Sequence, residues 1–328
     1  MNNKTVGIVG IGKLTNEFFN CLIDSDAGQS VLSQVNRFKF YDSRKSKEEL
    51  EGSEKFIKLE RILDKPIRDG NISLSSTSSL GEFYFESSMI LFLAGGGFYD
   101  DHLKEGRIDK SSRFVYDKVS ELQERGYFLK QKPDGFSRIE QELPHNLSIV
   151  TKFSQELQPL IRKYNDLKPI IMAANEPCIT SSIMTSICPQ LTDYVTGFSS
   201  VDIKRLSEVF NEELRALKKH CGLEDVTIKV GIKGNHNHKM TPKLYVDDVH
   251  DQIKLKQLFG HINYQGMFNE MQSKSVNYWE TCKTNGINPL RQAAESLADL
   301  TQEMLNGLGK SLTPSKEMYN AFFHILVD

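Results

Sequence analysis

The stretch from Lys4 to Thr15, KTVGIVGIGKLT, decides the fold of this chain. It begins with β-branched residues, which favour a strand, and it ends in closely spaced glycines. The segment that comes next, Leu14 to Ile23, is amphipathic and carries Phe18, Phe19 and Leu22 on one face. A strand, a tight turn and a helix in this order predict the first unit of a doubly wound α/β sheet.

The turn itself, Gly10-Ile11-Gly12-Lys13-Leu14-Thr15, fits the pattern G-x-G-x-x-G except at its last position. The first two glycines of that pattern let the backbone approach a pyrophosphate, whereas the third permits close packing of helix on strand. Gly10 and Gly12 are therefore predicted to bind a dinucleotide. Because ordinary turns also contain paired glycines, this interpretation depends on the strands further along the chain.

A second predicted strand, Arg37 to Tyr41, ends at Asp42. A carboxylate at this place accepts hydrogen bonds from the hydroxyls of an adenine ribose, which favours NAD. Arg44 and Lys45 come directly after it, and their charges suit the 2′-phosphate of NADP, which Asp42 would repel. NAD is the predicted cofactor, and NADP remains open.

Further strands are predicted along the chain. A short strand at Asn71 to Leu74 is expected to run into a loop formed by the serine cluster Ser73 to Ser79. The apolar run Met89 to Ala94 indicates a strand buried on both faces, and Gly95 at its end is predicted to lie against the cofactor. The run Pro169 to Ala174 indicates another buried strand.

Strands that alternate with helices over residues 4 to 177 predict a Rossmann-type doubly wound parallel sheet. We assign residues 1–177 to a dinucleotide-binding domain and residues 178–328 to an α+β substrate domain.

The composition argues against nucleic acid and membranes as binding partners. The 328 residues are 39% hydrophobic with a net charge of −2, which offers no electrostatic footprint for nucleic acid. No apolar run has the length that a bilayer needs, so no membrane partner is expected. The five cysteines include no C-x-x-C pair, which favours reduced thiols and a cytoplasmic location.

A second informative stretch is Val226 to Pro242, VTIKVGIKGNHNHKMTP, in which an alternating strand pattern breaks at Gly234. The loop behind it holds His236, and histidine both gives and takes a proton near neutral pH. A lone loop histidine is more often solvated or structural. His236 and His238 have the spacing of paired metal ligands on a strand, but no third ligand is evident, so no metal is predicted.

Several motifs, in their order along the chain, resemble the lactate/malate dehydrogenase family. Gly234 to Pro242 is similar to the family's histidine motif, and Asp202 with Arg205 is similar to its aspartate–arginine pair. The other matching motifs are Asn175 followed by Pro177, and the loop Lys132 to Arg138 with Asn146 beyond it.

The resemblance implies a role for each matching residue. His236 would be the acid/base, with Asp202 orienting its ring, and Arg205 would pair with the substrate carboxylate through its planar guanidinium. Arg138 would polarise the reacting carbonyl from a closing loop. Asn175 would bridge the cofactor and the substrate.

The same resemblance implies a small 2-hydroxy or 2-keto acid as substrate. Lys132 lies where the family selects its substrate, and its cation would pair with a second carboxylate, as in malate and oxaloacetate. Gln131 in the same register would instead favour an uncharged side chain, as in lactate.

Three departures from the family pattern favour a different class of function. The inserted loop, about residues 98–134, is long; Asn237 comes after the histidine in place of glycine; and the substrate domain looks shortened at its C-terminus. The alternative is a weakly active or inactive dehydrogenase-like subunit with a scaffolding role in a larger assembly. An NAD-dependent dehydrogenase, expected as a homo-oligomer, is the leading interpretation.

Overall fold

The computed structural model describes residues 4–95, 138–174, 177–198, 228–233, 241–246 and 284–307, with isolated positions at 215–216, 218–219, 224 and 273. The chain forms two compact units. The first comprises Met1–Phe198 with Ala298–Leu312, and the second comprises Ser199–Leu297 with Thr313–Asp328. The domain division at residue 177 stays a prediction.

The first unit is built on a six-stranded sheet in which every neighbouring pair is parallel. Its strands are β1 (Lys4–Val9), β2 (Val35–Tyr41), β3 (Ser73–Thr77), β4 (Met89–Phe92), β5 (Ile170–Met172) and β6 (Val195–Gly197). They lie in the order β3-β2-β1-β4-β5-β6, which reverses direction between β1 and β4. This order is that of the doubly wound dinucleotide-binding fold, so the predicted fold class is confirmed.

Helices connect the strands. They are α1 (Lys13–Asp24), α2 (Asp26–Leu32), α3 (Lys47–Glu51), α4 (Glu54–Ile62), α5 (Asp64–Arg68), α6 (Leu80–Glu86), α7 (Arg138–Tyr164), α8 (Pro177–Ile187) and α9 (Pro289–Gly307), with a short 3-10 turn at Pro189–Leu191. The amphipathic pattern predicted after the glycine turn is confirmed as α1. None of the helices in the described segments is long and apolar enough to cross a membrane.

Aromatic side chains fill the space on the face of the sheet that α1 and α4 cover. Phe38 and Phe40 alternate along β2, and Phe19 of α1 lies 4.9 Å from the ring of Phe38. Phe56 of α4 lies 5.4 Å from the ring of Phe40. All four rings are almost completely buried. Truncation of one such ring to alanine typically costs about 3–5 kcal/mol.

The opposite face packs against α6 and α7. Tyr41 stacks on Phe83 with ring centroids 5.2 Å apart, and Phe92 meets Phe153 edge to face, also at 5.2 Å. Every residue of β4 is buried, as its uninterrupted apolar sequence predicts. Covering both faces in this way leaves the carboxyl edge of the strands as the place where ligands of such sheets bind.

The serine-rich segment differs from its prediction. Strand β3 runs through Ser73–Thr77, so Ser75 and Ser76, expected in the loop, lie in the strand, whereas Ser78 and Ser79 come after it. The backbone N–H and the hydroxyl of Ser76 both donate to Glu51 Oε1, each at 3.1 Å. Because β3 is an edge strand, this carboxylate satisfies a backbone donor that has no neighbouring strand to accept it.

The described part of the second unit contains an antiparallel hairpin of β7 (Ile228–Lys233) and β8 (Thr241–Val246). Lys233 pairs with Thr241 at the end of the ladder, so residues 234–240 connect the two strands. The predicted strand is confirmed from Ile228 onward. His236 belongs to the connection, outside the described residues.

Helix α9 confirms the predicted helical segment Asn288 to Leu308. It begins after Asn288, whose Oδ1 accepts from the backbone N–H groups of Leu290 and Arg291 at 3.1 and 3.3 Å. Within the first unit, the Lys4 ammonium donates to the carbonyl of Leu305. A cation near the C-terminal end of a helix interacts favourably with the helix dipole.

Candidate functional site

The carboxyl ends of β1 and β4 meet at Gly10. The Leu93 N–H donates to the Val9 carbonyl at 2.9 Å, which holds the two strand ends together. Gly10 has a φ of +99°, and a Cβ at this position would lie 2.6 Å from the Cα of Ala94. Both the backbone conformation and the close approach therefore require glycine here. This is the point at which the strand order reverses and a crevice forms.

Thr15 stands where the pattern has its third glycine, and its side chain is completely buried. The hydroxyl donates to the Gly10 carbonyl at 3.0 Å and accepts from the Gly12 N–H at 3.2 Å. It thus joins the two glycines across the turn. A buried hydroxyl with both of these partners satisfied is tolerated in a tightly packed place.

The N-terminus of α1 differs from those of α2, α3, α4 and α6. Each of those helices begins behind a serine whose hydroxyl accepts from a backbone N–H of the first turn: Ser25, Ser46, Ser53 and Ser79. Helix α1 begins behind Gly12, which has no side chain, and its first turn contains no acidic residue. The first N–H groups of a helix have no intrahelical acceptor and attract anions, so this end is suited to a phosphate.

Gly12 is also open on its outer side. A Cβ added there would have no described heavy atom within 4 Å. Its backbone is extended, with a φ of −128°, so the local conformation does not itself demand glycine. The space above Gly12 is what a group that approaches the turn would use.

Asp42 lies immediately after β2, as predicted, and it is engaged by Arg44. Its Oδ1 accepts from the Arg44 backbone N–H at 3.0 Å and from Nε at 3.2 Å. The guanidinium remains largely exposed, whereas the carboxylate is mostly covered. The acidic group expected to favour NAD and the cation that leaves NADP open therefore form one ion pair.

Gly95 lies just beyond β4 and faces a side chain of the protein. A Cβ at this position would lie 2.8 Å from Oδ1 of Asn146, which is buried on α7. The small residue thus lets the Asn146 amide approach the backbone at the carboxyl edge. The sequence pattern indicates Asn146 only as part of the helix after the loop, because its approach to Gly95 depends on tertiary packing.

Tyr41, the last residue of β2, directly precedes Asp42. Its hydroxyl contacts Glu156 Oε2 of α7 at 3.3 Å. Burial, reinforced by the charge of Glu156, raises the pKa of Tyr41 to about 12. The phenol is therefore protonated at neutral pH and acts as a hydrogen-bond donor to the carboxylate.

A buried lysine forms the part of this region that sequence reasoning missed. Lys39 of β2 is 2% exposed, and its ammonium contacts Glu82 at 2.5 Å and Glu86 at 2.9 Å, both on α6. The hydrogen bond from Lys39 lowers the pKa of the Glu82 carboxyl. The signal in the sequence is a lysine between two phenylalanines of a predicted strand, since a buried cation needs an acidic partner.

The predicted substrate residues lie elsewhere in the chain. Arg138 belongs to α7, which confirms the helix predicted behind the loop, and its role towards the substrate stays a prediction. The other predicted positions, Lys132, Asn175, Asp202, Arg205 and His236, lie outside the described residues. Their assignments, and the closing loop, stay predictions. Within the described segments no group of three or more potential metal ligands occurs.

Comparison with known proteins gives a result at the level of structure. No family model and no curated protein matches the sequence. A lactate dehydrogenase from Eimeria maxima, crystallised with NADH and oxamate, superimposes with a TM-score of 0.52 at 14% identity, over 92% of this chain and 74% of that one. This chain has a lactate dehydrogenase-like fold.

Two further solved structures agree. The minor L-lactate dehydrogenase of Enterococcus mundtii gives a TM-score of 0.55 at 14% identity, over 93% of this chain and 78% of that one. The Cryptosporidium parvum lactate dehydrogenase, in complex with lactic acid and nicotinamide adenine dinucleotide, gives 0.54 at 15% identity over the same shares. The resemblance to lactate and malate dehydrogenases is thereby confirmed for the fold.

Proposed function

We propose that this protein is an NAD-dependent dehydrogenase of small 2-hydroxy acids. The observation that carries the proposal is the glycine turn after β1. It lies where the strand order reverses, it opens onto a helix N-terminus without a side-chain cap, and it belongs to a fold shared with dehydrogenases crystallised with NADH or NAD.

The residues of the first unit fit a dinucleotide. The open space at Gly12 and the backbone N–H groups of Lys13 and Leu14 suit a pyrophosphate, which carries the negative charge that a helix N-terminus favours. Asp42 comes after β2, where it suits an adenine ribose. Its Oδ2 contacts Arg44 only at 3.5 Å, so this oxygen retains capacity to accept from a ribose hydroxyl.

The residues taken from the family resemblance complete the chemistry. A bound nicotinamide supplies or accepts the hydride. His236 transfers the proton at the substrate oxygen, and Asp202 orients its ring and stabilises the charged form. Arg205 binds the substrate carboxylate with two parallel hydrogen bonds, and Arg138 polarises the carbonyl. Asn175 hydrogen-bonds between cofactor and substrate.

We assign malate and oxaloacetate as the preferred pair. Lys132 supplies a cation for the second carboxylate, and a polar group of the site that pairs with the substrate discriminates against a substrate that lacks the partner. The substrate named for the Cryptosporidium parvum structure is lactic acid, a monocarboxylate. Lactate and pyruvate are therefore the comparison that tests the role of Lys132.

The test is the oxidation of NADH by the purified chain with oxaloacetate and then with pyruvate. Wild type should turn over oxaloacetate faster. His236→Ala should abolish turnover, whereas His238→Ala, a matched change two residues away, should retain it. Lys132→Gln should shift preference towards pyruvate. A folded wild-type protein that turns over neither acid, with NADH or NADPH, would overturn the proposal and favour the scaffolding alternative.

A further inference from the structure

The departure from the glycine pattern at Thr15 has a specific geometry. Its hydroxyl is the one group that bonds to both glycines of the turn among the described residues, with Gly10 as acceptor at 3.0 Å and Gly12 as donor at 3.2 Å. A third glycine would leave this carbonyl and this N–H without the hydroxyl. Thr15 therefore adds two hydrogen bonds to the turn that a glycine at this position could not make.

The two glycines differ in how firmly the rest of the fold holds them. Gly10 is confined by Ala94, whose Cα lies 2.6 Å from the place that a Cβ on Gly10 would take. Gly12 has no described atom near its outer side, and glycine is the residue with the largest conformational freedom to lose. Two hydrogen bonds hold Gly12: its carbonyl accepts from the Asn16 N–H at 3.1 Å, and its own N–H donates to the Thr15 hydroxyl. The second bond restrains the peptide unit by which the chain enters Gly12.

The same bond determines which donors face a ligand. Because the Gly12 N–H is already directed to the Thr15 hydroxyl, the donors left at this end of α1 are the backbone N–H groups of Lys13, Leu14 and Thr15. Groups that are held in place before binding add affinity, because less entropy is lost when the ligand arrives.

We propose that Thr15 is a positioning residue for the pyrophosphate of the cofactor. Its hydroxyl fixes the turn so that the Lys13 and Leu14 N–H groups point at the phosphate oxygens. This inference rests on the proposed function, since it assumes that the turn binds a dinucleotide.

A matched control exists in the turn between β3 and α6. The Thr77 hydroxyl also accepts from a backbone N–H, that of Ser79 at 3.1 Å, and donates to an oxygen, Glu82 Oε2 at 2.8 Å. It is buried as well. Thr77→Val therefore removes the same chemistry from a turn that is not at the point of strand reversal.

The experiment measures NADH affinity by calorimetric titration. Thr15→Val should weaken binding about tenfold, the equivalent of one or two hydrogen bonds. Thr15→Ser, which keeps the hydroxyl, should restore most of the affinity, and Thr77→Val should bind as wild type does. Equal affinity of Thr15→Val and wild type would overturn the positioning role.

A second measurement separates this inference from the proposed function. Amide hydrogen exchange of the nucleotide-free wild type should be slower at Gly12 than at Lys13 and Leu14, and Thr15→Val should remove that protection. Fast exchange at Gly12 in wild type would overturn the restraint without any ligand or variant. Absence of NADH binding by wild type, with Gly12 protected, would instead count against the proposed function.

Discussion

Two turns at the carboxyl edge of the same sheet differ in how they treat the helix that comes after them. In the turn from β3 to α6, Ser79 caps the helix by accepting from the Glu82 N–H at 3.3 Å. The Glu82 carboxylate also receives the Thr77 hydroxyl and the Lys39 ammonium. The protein's own side chains supply both the cap and the negative charge at this helix end.

The turn from β1 to α1 supplies neither. Gly12 offers no capping side chain, the first turn of α1 has no acidic residue, and the space outside Gly12 is open. Each of the two turns connects a strand to a helix, and each has a buried threonine. The comparison shows that side-chain chemistry, rather than the βα architecture, decides which helix end is left for an anionic ligand.

The largest effect is expected from a Cβ at Gly10. Gly10→Ala combines a left-handed φ with a 2.6 Å approach to the Ala94 backbone. We expect a loss of at least about 3 kcal/mol in the free energy of unfolding, measured by urea denaturation. Gly70→Ala is the control, because its φ is +72° but nothing described lies within 4 Å. It should lose only about 1 kcal/mol; equal losses would contradict the close contact at Gly10.

A Cβ at Gly12 should separate stability from binding. Gly12→Ala meets no described atom and keeps an extended φ, so its free energy of unfolding should stay within about 0.5 kcal/mol of wild type. The methyl group would occupy the approach to the turn, and NADH affinity should fall about tenfold or more. Thermal melting and titration of the same sample measure both. Unchanged affinity would show that no ligand approaches Gly12.

The smallest expected effect is on the pH dependence of stability, through Glu82 in the turn from β3 to α6. Because Lys39 lowers the pKa of Glu82, the native state is stabilised above the ordinary value of 4.5, and this contribution is lost as pH falls through the lowered pKa. In Glu82→Gln the free energy of unfolding should fall less on acidification below pH 4.5 than in wild type. The difference should be at most about 1 kcal/mol, because the carboxylate is half exposed. Denaturation at pH 3.5 and pH 6 tests this. An unchanged acid dependence would contradict the pairing.

The difference between the turns also explains how far the sequence predicts the fold. The apolar run of β4 and the alternation of phenylalanines in β2 specify strands directly, and both strands are confirmed. The turn at Gly10 is predicted by the short motif Gly10 to Thr15, whose residues are close together in the sequence. The strand predicted at Asn71 to Leu74 continues to Thr77, and this extension is not predicted because a serine-rich sequence resembles a loop and its partner Glu51 lies far away in the chain.

Other features of the site leave little signal in the residue pattern. The bond between Thr15 and the two glycines arises from the path of the turn, which a residue pattern does not encode. The Lys39 cluster needs α6 to pack on β2 before its charges meet. The predicted roles of Asp202 and Arg205 derive from the resemblance, and that of His236 derives from the resemblance and from its place in a loop behind a strand. All three stay predictions.

The most direct test of whether the glycine turn between β1 and α1 binds a dinucleotide is the titration of the wild-type chain with NADH. Binding of one NADH per chain, in the micromolar to millimolar range typical of enzyme ligands, is the predicted result. A folded protein that binds neither NADH nor NADPH at millimolar concentration would contradict it, and the uncapped helix end at Gly12 would then need another explanation.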